Sequence, residues 1–176
     1  VYAIADLLYI EQSYFLPVLS TIKGAAGRFQ MVHTDRQVTA IVDYAHMPDA
    51  LTQVLDTITA LRTRNEKLIT VVGCGGNRDK AKRPLMAKAA VAKSDLTIFT
   101  SDNSRNEDPN DIIKDMLIGV PVESKQKYLT VLNRAQAIKT ACTMAHDKDI
   151  ILVAGKGHET YQDQNGERLP FDDTQE

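Results

Sequence analysis

The stretch Lys67–Pro84 reads KLITVVGCGGNRDKAKRP, and its first half decides the fold. Leu68 to Val72 are apolar or β-branched without interruption, the pattern of a strand buried on both faces. Gly73, Gly75 and Gly76 end it abruptly. Glycine tolerates positive φ and lets backbone N–H groups approach a ligand, while Arg78, Lys80, Lys82 and Arg83 place positive charge just beyond. An anion suits such a loop, and a plain tight βα turn fits it as well. Neither the phosphate loop GxxxxGK[ST] nor the dinucleotide fingerprint GxGxxG is present, so neither site is licensed.

Downstream, strands and helices alternate. Leu85 to Ala92 reads as an alanine-rich helix, Leu96 to Thr100 as a strand and Ser101 to Asn110 as a polar loop. Asp111 to Leu117 is a short helix stopped by Gly119 and Pro121, and Tyr128 to Val131 a weak strand. Arg134 to Met144 is a helix with Ala135, Ile138 and Cys142 inward, and Ile150 to Ala154 a buried strand running into GKGHE. Asn165-Gly166 marks a hairpin turn between Tyr161 and Leu169. Such alternation predicts an α/β, Rossmann-like, doubly wound and mostly parallel sheet.

Upstream of Lys67 the sheet starts differently. Phe29 to His33 and Val38 to Val42 flank the polar connection Thr34 to Gln37, which predicts an antiparallel edge strand. Asp43-Tyr44-Ala45-His46 ends the second run, and Pro48 opens a helix with Leu51, Val54, Leu55, Ile58 and Leu61 at helical spacing. Residues 1 to 23 read as two short helices, one with Ala3, Ile4, Leu7 and Leu8 on a face, the other with Phe15, Leu16, Val18, Leu19 and Ile22. Lys23 to Arg28, small and glycine-bearing, is a candidate hinge or a helix C-cap at Gly24.

The chain has 176 residues and a net charge of −2, enough for one domain with an appendage and without the basic excess of a nucleic-acid binder. Two cysteines, Cys74 and Cys142, do not make a disulfide framework, which points to a cytoplasmic protein. No apolar run reaches the roughly 18 residues of a spanning helix, so no membrane partner is expected. Val1 lies in an apolar stretch, and the final FDDTQE resembles a helix start with nothing after it. A piece of a longer protein is expected.

In an open parallel sheet, ligands bind outside the carboxyl ends of the strands. Four expected strand ends carry polar or glycine-rich signals: Asp43 to His46, Gly73 to Asp79, Asp102 to Arg105, and Gly155 to Glu159. Asp43 and His46 could equally cap the helix at Pro48, Asp102 and Asn103 form an Asx-turn, His158 be structural and Lys156 a surface lysine. Together the four ends predict one site. Arg78 and Arg105 can each grip a carboxylate, Glu159 an ammonium, and Asn103 offers a donor and an acceptor. Such a set matches an amino acid with more than one carboxylate.

Gly27-Arg28, DYAHMPDAL from Asp43, GCGGNRDKAKRPLM from Gly73, SDNSRNEDP from Ser101 and AGKGHETYQ from Ala154 together resemble the carboxy-terminal domain of the Mur ligases. The resemblance implies that residues 27–176 are this domain and residues 1–26 the tail of a central ATPase domain with its hinge. It implies an ATP-dependent ligase of peptidoglycan synthesis in which a glutamate carboxylate of a UDP-linked precursor becomes an acyl phosphate attacked by an amino acid's amine. By analogy Arg28, Asp43 and His46 would touch ATP, and Arg78, Asp102, Asn103, Ser104, Arg105, Gly155 and Glu159 would hold the amino acid. ATP and Mg2+ would sit mostly on the central domain, with no catalytic or metal-binding residue here. The isolated domain should bind amino acid weakly and ATP very weakly. A monomer is expected.

The family's usual DNPR is DNSR here, with Ser104 in place of proline, which should loosen the loop. Keeping Asn103 and Arg105 points to meso-diaminopimelate, since family members that take L-lysine lack this arginine. The alternatives are a ligase lobe for another diamino acid such as L-lysine, a folylpolyglutamate synthetase relative, and a non-catalytic α/β small-molecule binding module.

Overall fold

Two short helices open the chain, α1 (Tyr2–Leu7) and α2 (Gln12–Thr21), in a computed structural model that describes residues 2–22, 24–32, 37–63 and 65–176. Lys23 of the expected hinge, His33 of the expected first strand and residues 34–36 of the expected connection lie outside the described residues. The helix pair closes on Tyr2 and Phe15, whose rings meet edge to face at 5.3 Å. Its buried side chains are Ala5 and Phe15. Of the apolar faces read from the spacing, Ile4, Leu7, Leu8, Leu16, Val18 and Ile22 are exposed. With one turn and a half in α1, the pair is too short to bury more than one contact point on itself.

The remaining elements build a six-stranded sheet flanked by helices, and a separate hairpin. In chain order they are β1 (Gln30–Val32), β2 (Thr39–Asp43), α3 (Pro48–Leu61), β3 (Leu68–Val72), α4 (Lys82–Lys93), β4 (Leu96–Phe99) and α5 (Pro109–Leu117). A 3-10 turn (Val122–Lys127), β5 (Tyr128–Thr130), α6 (Arg134–Met144), β6 (Ile150–Ala154), β7 (Tyr161–Gln164) and β8 (Glu167–Pro170) complete it. The six-stranded sheet runs β1-β2-β6-β3-β4-β5, parallel except for the β1–β2 pair, while β7 and β8 form a separate antiparallel hairpin. The expected fold class is the observed one.

The period-2 pattern of each strand sorts the core into two layers. Ile41, Leu68, Val72, Phe99 and Leu152 face α3, α4 and α5, whereas Val42, Ile69, Val71, Ile98, Ile151 and Val153 face α6. Three helices carry their start signals in the sequence: Pro48 at the start of α3, Asp108 capping α5 through the Asn110 N–H at 2.8 Å, and Asn133 capping α6 through the Gln136 N–H at 2.9 Å. Two begin earlier than expected, α4 at Lys82 rather than Leu85 and α5 at Pro109 rather than Asp111. One helix face departs from the expectation. Ile138 turns inward, but with Arg134, Ala137 and Ala141 rather than Ala135 and Cys142, and Cys142 is exposed. A buried partner for the Arg134 guanidinium, Asp173, sets that face, which apolar periodicity could not reveal.

The position of β6 does most to bring the polar strand ends together. It inserts between β2 and β3, so β2, β6, β3 and β4 are four neighbours whose carboxyl ends emerge side by side on one edge. Among the described residues, no helix is long and apolar enough to cross a membrane.

Candidate functional site

At that edge the loops after β2, β3, β4 and β6 enclose a crevice of about 440 Å³. Arg78, Asp102, Asn103, Arg105, Gly155 and Glu159 all line it, with His46 at one side. Residues scattered from position 46 to position 159 thus share one rim. Ser104 is buried but is not among the lining residues.

The loop after β4 is the most constrained part. The Asn103 carbonyl accepts the Gly76 N–H at 2.9 Å, and Arg105 Nη1 donates to the Gly76 carbonyl at 2.8 Å, tying this loop to the glycine loop. From the other side the β7–β8 hairpin clamps it. Arg105 N–H donates to the Asp163 carbonyl at 3.0 Å, Asp163 N–H to Asn103 Oδ1 at 2.9 Å, and the buried Gln162 Nε2 to Ser101 Oγ and the Asp102 carbonyl, both at 3.0 Å. Asn103 is therefore largely engaged by the protein. Its Oδ1 also accepts from Lys156 Nζ at 3.0 Å, and its Nδ2 donates to Glu159 Oε2 at 2.8 Å. Only one Nδ2 hydrogen is left for a ligand.

Gly155 has φ of +116°, and a Cβ there would lie 2.8 Å from Asp102 Oδ2. Glycine alone lets the loop after β6 pass this close to the Asp102 carboxylate. Arg78 makes no hydrogen bond or ion pair with any described residue and stands exposed at the mouth. Its guanidinium is the one most available to an anion. Cys74 lies on the crevice wall, and burial, with the Asp102 charge adding to it, pushes its thiol up to about 12.

Arg83 corrects an expectation. Rather than offering charge to a ligand, its guanidinium is wholly buried, donating to Asp115 at 2.8 Å, to Glu107 at 3.0 Å and to the Gly75 carbonyl at 3.3 Å. Glu107 also accepts the Asn77 N–H and pairs with Lys80 at 3.3 Å. Arg83 and Glu107 thus brace the glycine loop. Those contacts, the Arg83 hydrogen bond first, pull the Glu107 carboxyl down to about 2.

A second hollow, about 410 Å³, adjoins the first through Tyr44 and His46 and is lined by Arg28, Asp43, Gln53 and Val54 among others. Arg28 lies over the Tyr44 ring, 5.1 Å from its centre, and Tyr44 is also flanked by His46 and His158. Asp43 is buried, its Oδ2 accepting the Phe29 N–H at 2.6 Å and its Oδ1 the Ala45 N–H at 2.7 Å. It does not cap α3, whose first position follows Met47 with no side-chain cap. Residues 27–157 match the family model described as Mur ligase, glutamate ligase domain. The chain belongs to the Mur ligase family.

Within that family it is 57% identical over 173 residues, 98% of its length, to the UDP-N-acetylmuramoyl-L-alanyl-D-glutamate–2,6-diaminopimelate ligase of Cytophaga hutchinsonii, covering 35% of that protein. The enzyme of the same name from Geobacillus kaustophilus is 47% identical over 155 residues, 88% of this chain and 31% of the relative. A solved structure of a ligase of this name superposes with a TM-score of 0.79 at 41% identity, over 98% of this chain and 35% of the other. The chain thus spans about a third of the length of the curated relatives it matches.

In this Mur ligase domain, sequence reasoning missed two residues that build the crevice. Lys156, read as a surface lysine, is fully buried, and Tyr161 lines the crevice with the Lys156 ammonium 5.5 Å and the Arg168 guanidinium 4.6 Å from its ring centre. No local signal marks Lys156: its burial depends on Asn103 and Glu159, which the fold brings to it.

Proposed function

We propose that this chain is the amino-acid-binding lobe of an ATP-dependent ligase that joins meso-diaminopimelate to UDP-N-acetylmuramoyl-L-alanyl-D-glutamate. Residues 27–176 are the lobe, and residues 1–26 the tail of the preceding domain with its hinge. The observation that carries the reading is the convergence of Arg78, Arg105 and Glu159 on one crevice. Two guanidinium groups can each take a carboxylate, and one acid can take an ammonium. Diaminopimelate has two carboxylates, whereas L-lysine would leave one guanidinium facing only water. The name shared by the relatives supports the same substrate.

The chemistry follows from the poor electrophilicity of a carboxylate. Phosphorylation by ATP turns one oxygen of the precursor's glutamate carboxylate into part of a phosphate leaving group, and the lobe's task is to hold the attacking amine in line with the acyl carbon, which it bonds as phosphate departs. Asp102, Asn103, Ser104 and Gly155 shape the crevice around that amino acid. Arg28 and His46, exposed beside the adjoining hollow, are placed to meet ATP phosphate or ribose. Asp43 has both oxygens engaged with backbone N–H groups, so its part there is to fix the segment that carries Arg28. ATP and Mg2+ are held mostly by the two-thirds of the relatives' length outside this chain. We place the protein in the cytoplasm, because its precursor is a nucleotide-linked metabolite, and take it to act as a monomer.

The test is phosphate release by the full-length protein, dependent on ATP, precursor and amino acid, with meso-diaminopimelate, L-lysine and L-ornithine compared. Diaminopimelate should be preferred by at least about 100-fold in kcat/KM, the worth of a charge-assisted contact left unmade. Equal use of L-lysine overturns the substrate.

A further inference from the structure

Lys156 carries no solvent exposure, yet it is not among the residues that line the crevice. Its ammonium donates to Asn103 Oδ1 at 3.0 Å and to Glu159 Oε2 at 3.1 Å, and lies 3.9 Å from Asp102 Oδ1. A buried ammonium is costly unless acceptors and opposite charge surround it. Here two carboxylates, an amide oxygen and the face of Tyr161 do so. The two groups it holds are also joined to each other, through Asn103 Nδ2 and Glu159 Oε2 at 2.8 Å. Every hydrogen bond to the Glu159 carboxylate from the described residues therefore falls on Oε2, and Oε1 is left without one while its residue lines the crevice.

We propose that Lys156 is a positioning residue for the substrate amine: it holds Oε2 of Glu159 and Oδ1 of Asn103 from beneath the crevice floor, so that Oε1 of Glu159 faces the substrate ammonium. Lys156 itself does not touch the ligand. The inference rests on the amino-acid reading above. A carboxylate on a flexible side chain would lose rotamer freedom on each binding event, and fixing one oxygen in advance removes that cost. Lysine suits the task because its three donors radiate from one point, matching acceptors on two different loops, whereas the planar fork of arginine needs more room.

The experiment uses the full-length protein and compares Lys156→Met, Glu159→Gln and the double variant in amino-acid-dependent phosphate release. Lys156→Met should raise KM for the amino acid by roughly 10- to 100-fold, the range of a lost charge-assisted hydrogen bond, with KM for ATP within about twofold of wild type. In the Glu159→Gln background the same change should have a clearly smaller effect, because the carboxylate through which Lys156 reaches the substrate ammonium is already gone and only its hold on Asn103 remains. Equal rises in both Michaelis constants, or effects that simply multiply in the double variant, overturn the proposal. Should Lys156→Met not fold, Lys156→Gln is measured with the same two criteria. Wild-type turnover separates this outcome from the substrate assignment: if another amino acid is used in place of diaminopimelate, the substrate reading fails and the Lys156 comparison is made with that amino acid.

Discussion

Arg134 and Asp173 form a buried, two-pronged ion pair, Nε on Oδ1 and Nη2 on Oδ2, each at 2.7 Å. Arg134 Nη2 also donates to the Ala154 carbonyl at 3.1 Å, at the last residue of β6. The pair thus fastens the segment after β8 to the strand end that delivers Gly155 and Glu159. Burial works against the guanidinium's charge, but the Asp173 carboxylate, with Asp102 and Glu159 adding to it, outweighs it and the shift is upward. Replacing one partner strands a charge in the interior. Asp173→Asn should therefore destabilise the fold by about 3–5 kcal/mol, while Arg134→Met with Asp173→Leu should recover most of that loss. Urea unfolding of the three proteins decides between a pair that must be satisfied and one that merely decorates the core.

Close packing between the two crevice loops gives a second prediction. A Cβ on Gly76 would lie 1.9 Å from the Ser104 carbonyl oxygen, whereas one on Gly166, at φ +80° in the hairpin turn, would meet nothing within 4 Å. Gly76→Ala must push the two loops apart, at about 3 kcal/mol, the upper end of ordinary overpacking. Gly166→Ala costs only what left-handed backbone costs, about 1 kcal/mol. Thermal unfolding of both variants checks the contrast, and equal shifts would show that the loops give way freely.

Much of the fold was legible in the sequence because strands and turns are local. The unbroken run Leu68 to Val72, the Asn165-Gly166 turn and the polar strand ends each carry their own signal, and parallel topology gathers the ends without further information. What was not legible is which groups compensate buried charge. Arg83, Arg134 and Lys156 look like solvent residues until their partners, Glu107 and Asp115, Asp173, and Glu159, arrive from 3 to 39 positions away. The apolar faces of α1 and α2 were legible, but not their exposure: helical spacing predicts a face, not what covers it.

Glu107 predicts a pH dependence. Its folded-state value of about 2 lies below its ordinary 4.5, so it stabilises the native loop fully above the ordinary value. Protonation removes that contribution as pH falls from about 4.5 through about 2. Wild-type stability should slope downward in that window, and Glu107→Gln should be less stable at neutral pH yet flatter below pH 4.5. Denaturation midpoints measured from pH 2 to 7 test the sign; parallel profiles for the two proteins would remove Glu107 from the account.

The two arginines of the crevice should separate when replaced. Arg78 makes no polar contact with the described residues, so Arg78→Ala should raise KM for the amino acid roughly 10- to 100-fold and leave the unfolding temperature within about 2 °C. Arg105 also ties the Gly76 and Asn103 carbonyls, so Arg105→Ala should raise the same constant and lower stability by about 1–3 kcal/mol. For both, KM for ATP should move far less. A matching rise in the ATP constant would remove these arginines from the amino-acid site.

Ser104 tests whether the loop needs a proline at this place, as the resemblance leads one to expect. The Ser104 N–H donates to no acceptor among the described residues, and its φ is not among the positive ones. The loop around it is already held from both sides, by Gly76 and by the β7–β8 hairpin, so the loosening expected from serine has little room to act in the folded state. The difference should lie in the unfolded chain. Ser104→Pro is expected to stabilise the protein by about 0.4–1 kcal/mol by restricting unfolded conformations, with KM for the amino acid unchanged within about twofold. Unfolding and steady-state kinetics on one pair of proteins decide it: a destabilised variant would show that the backbone at Asn103 or Ser104 cannot accept the ring.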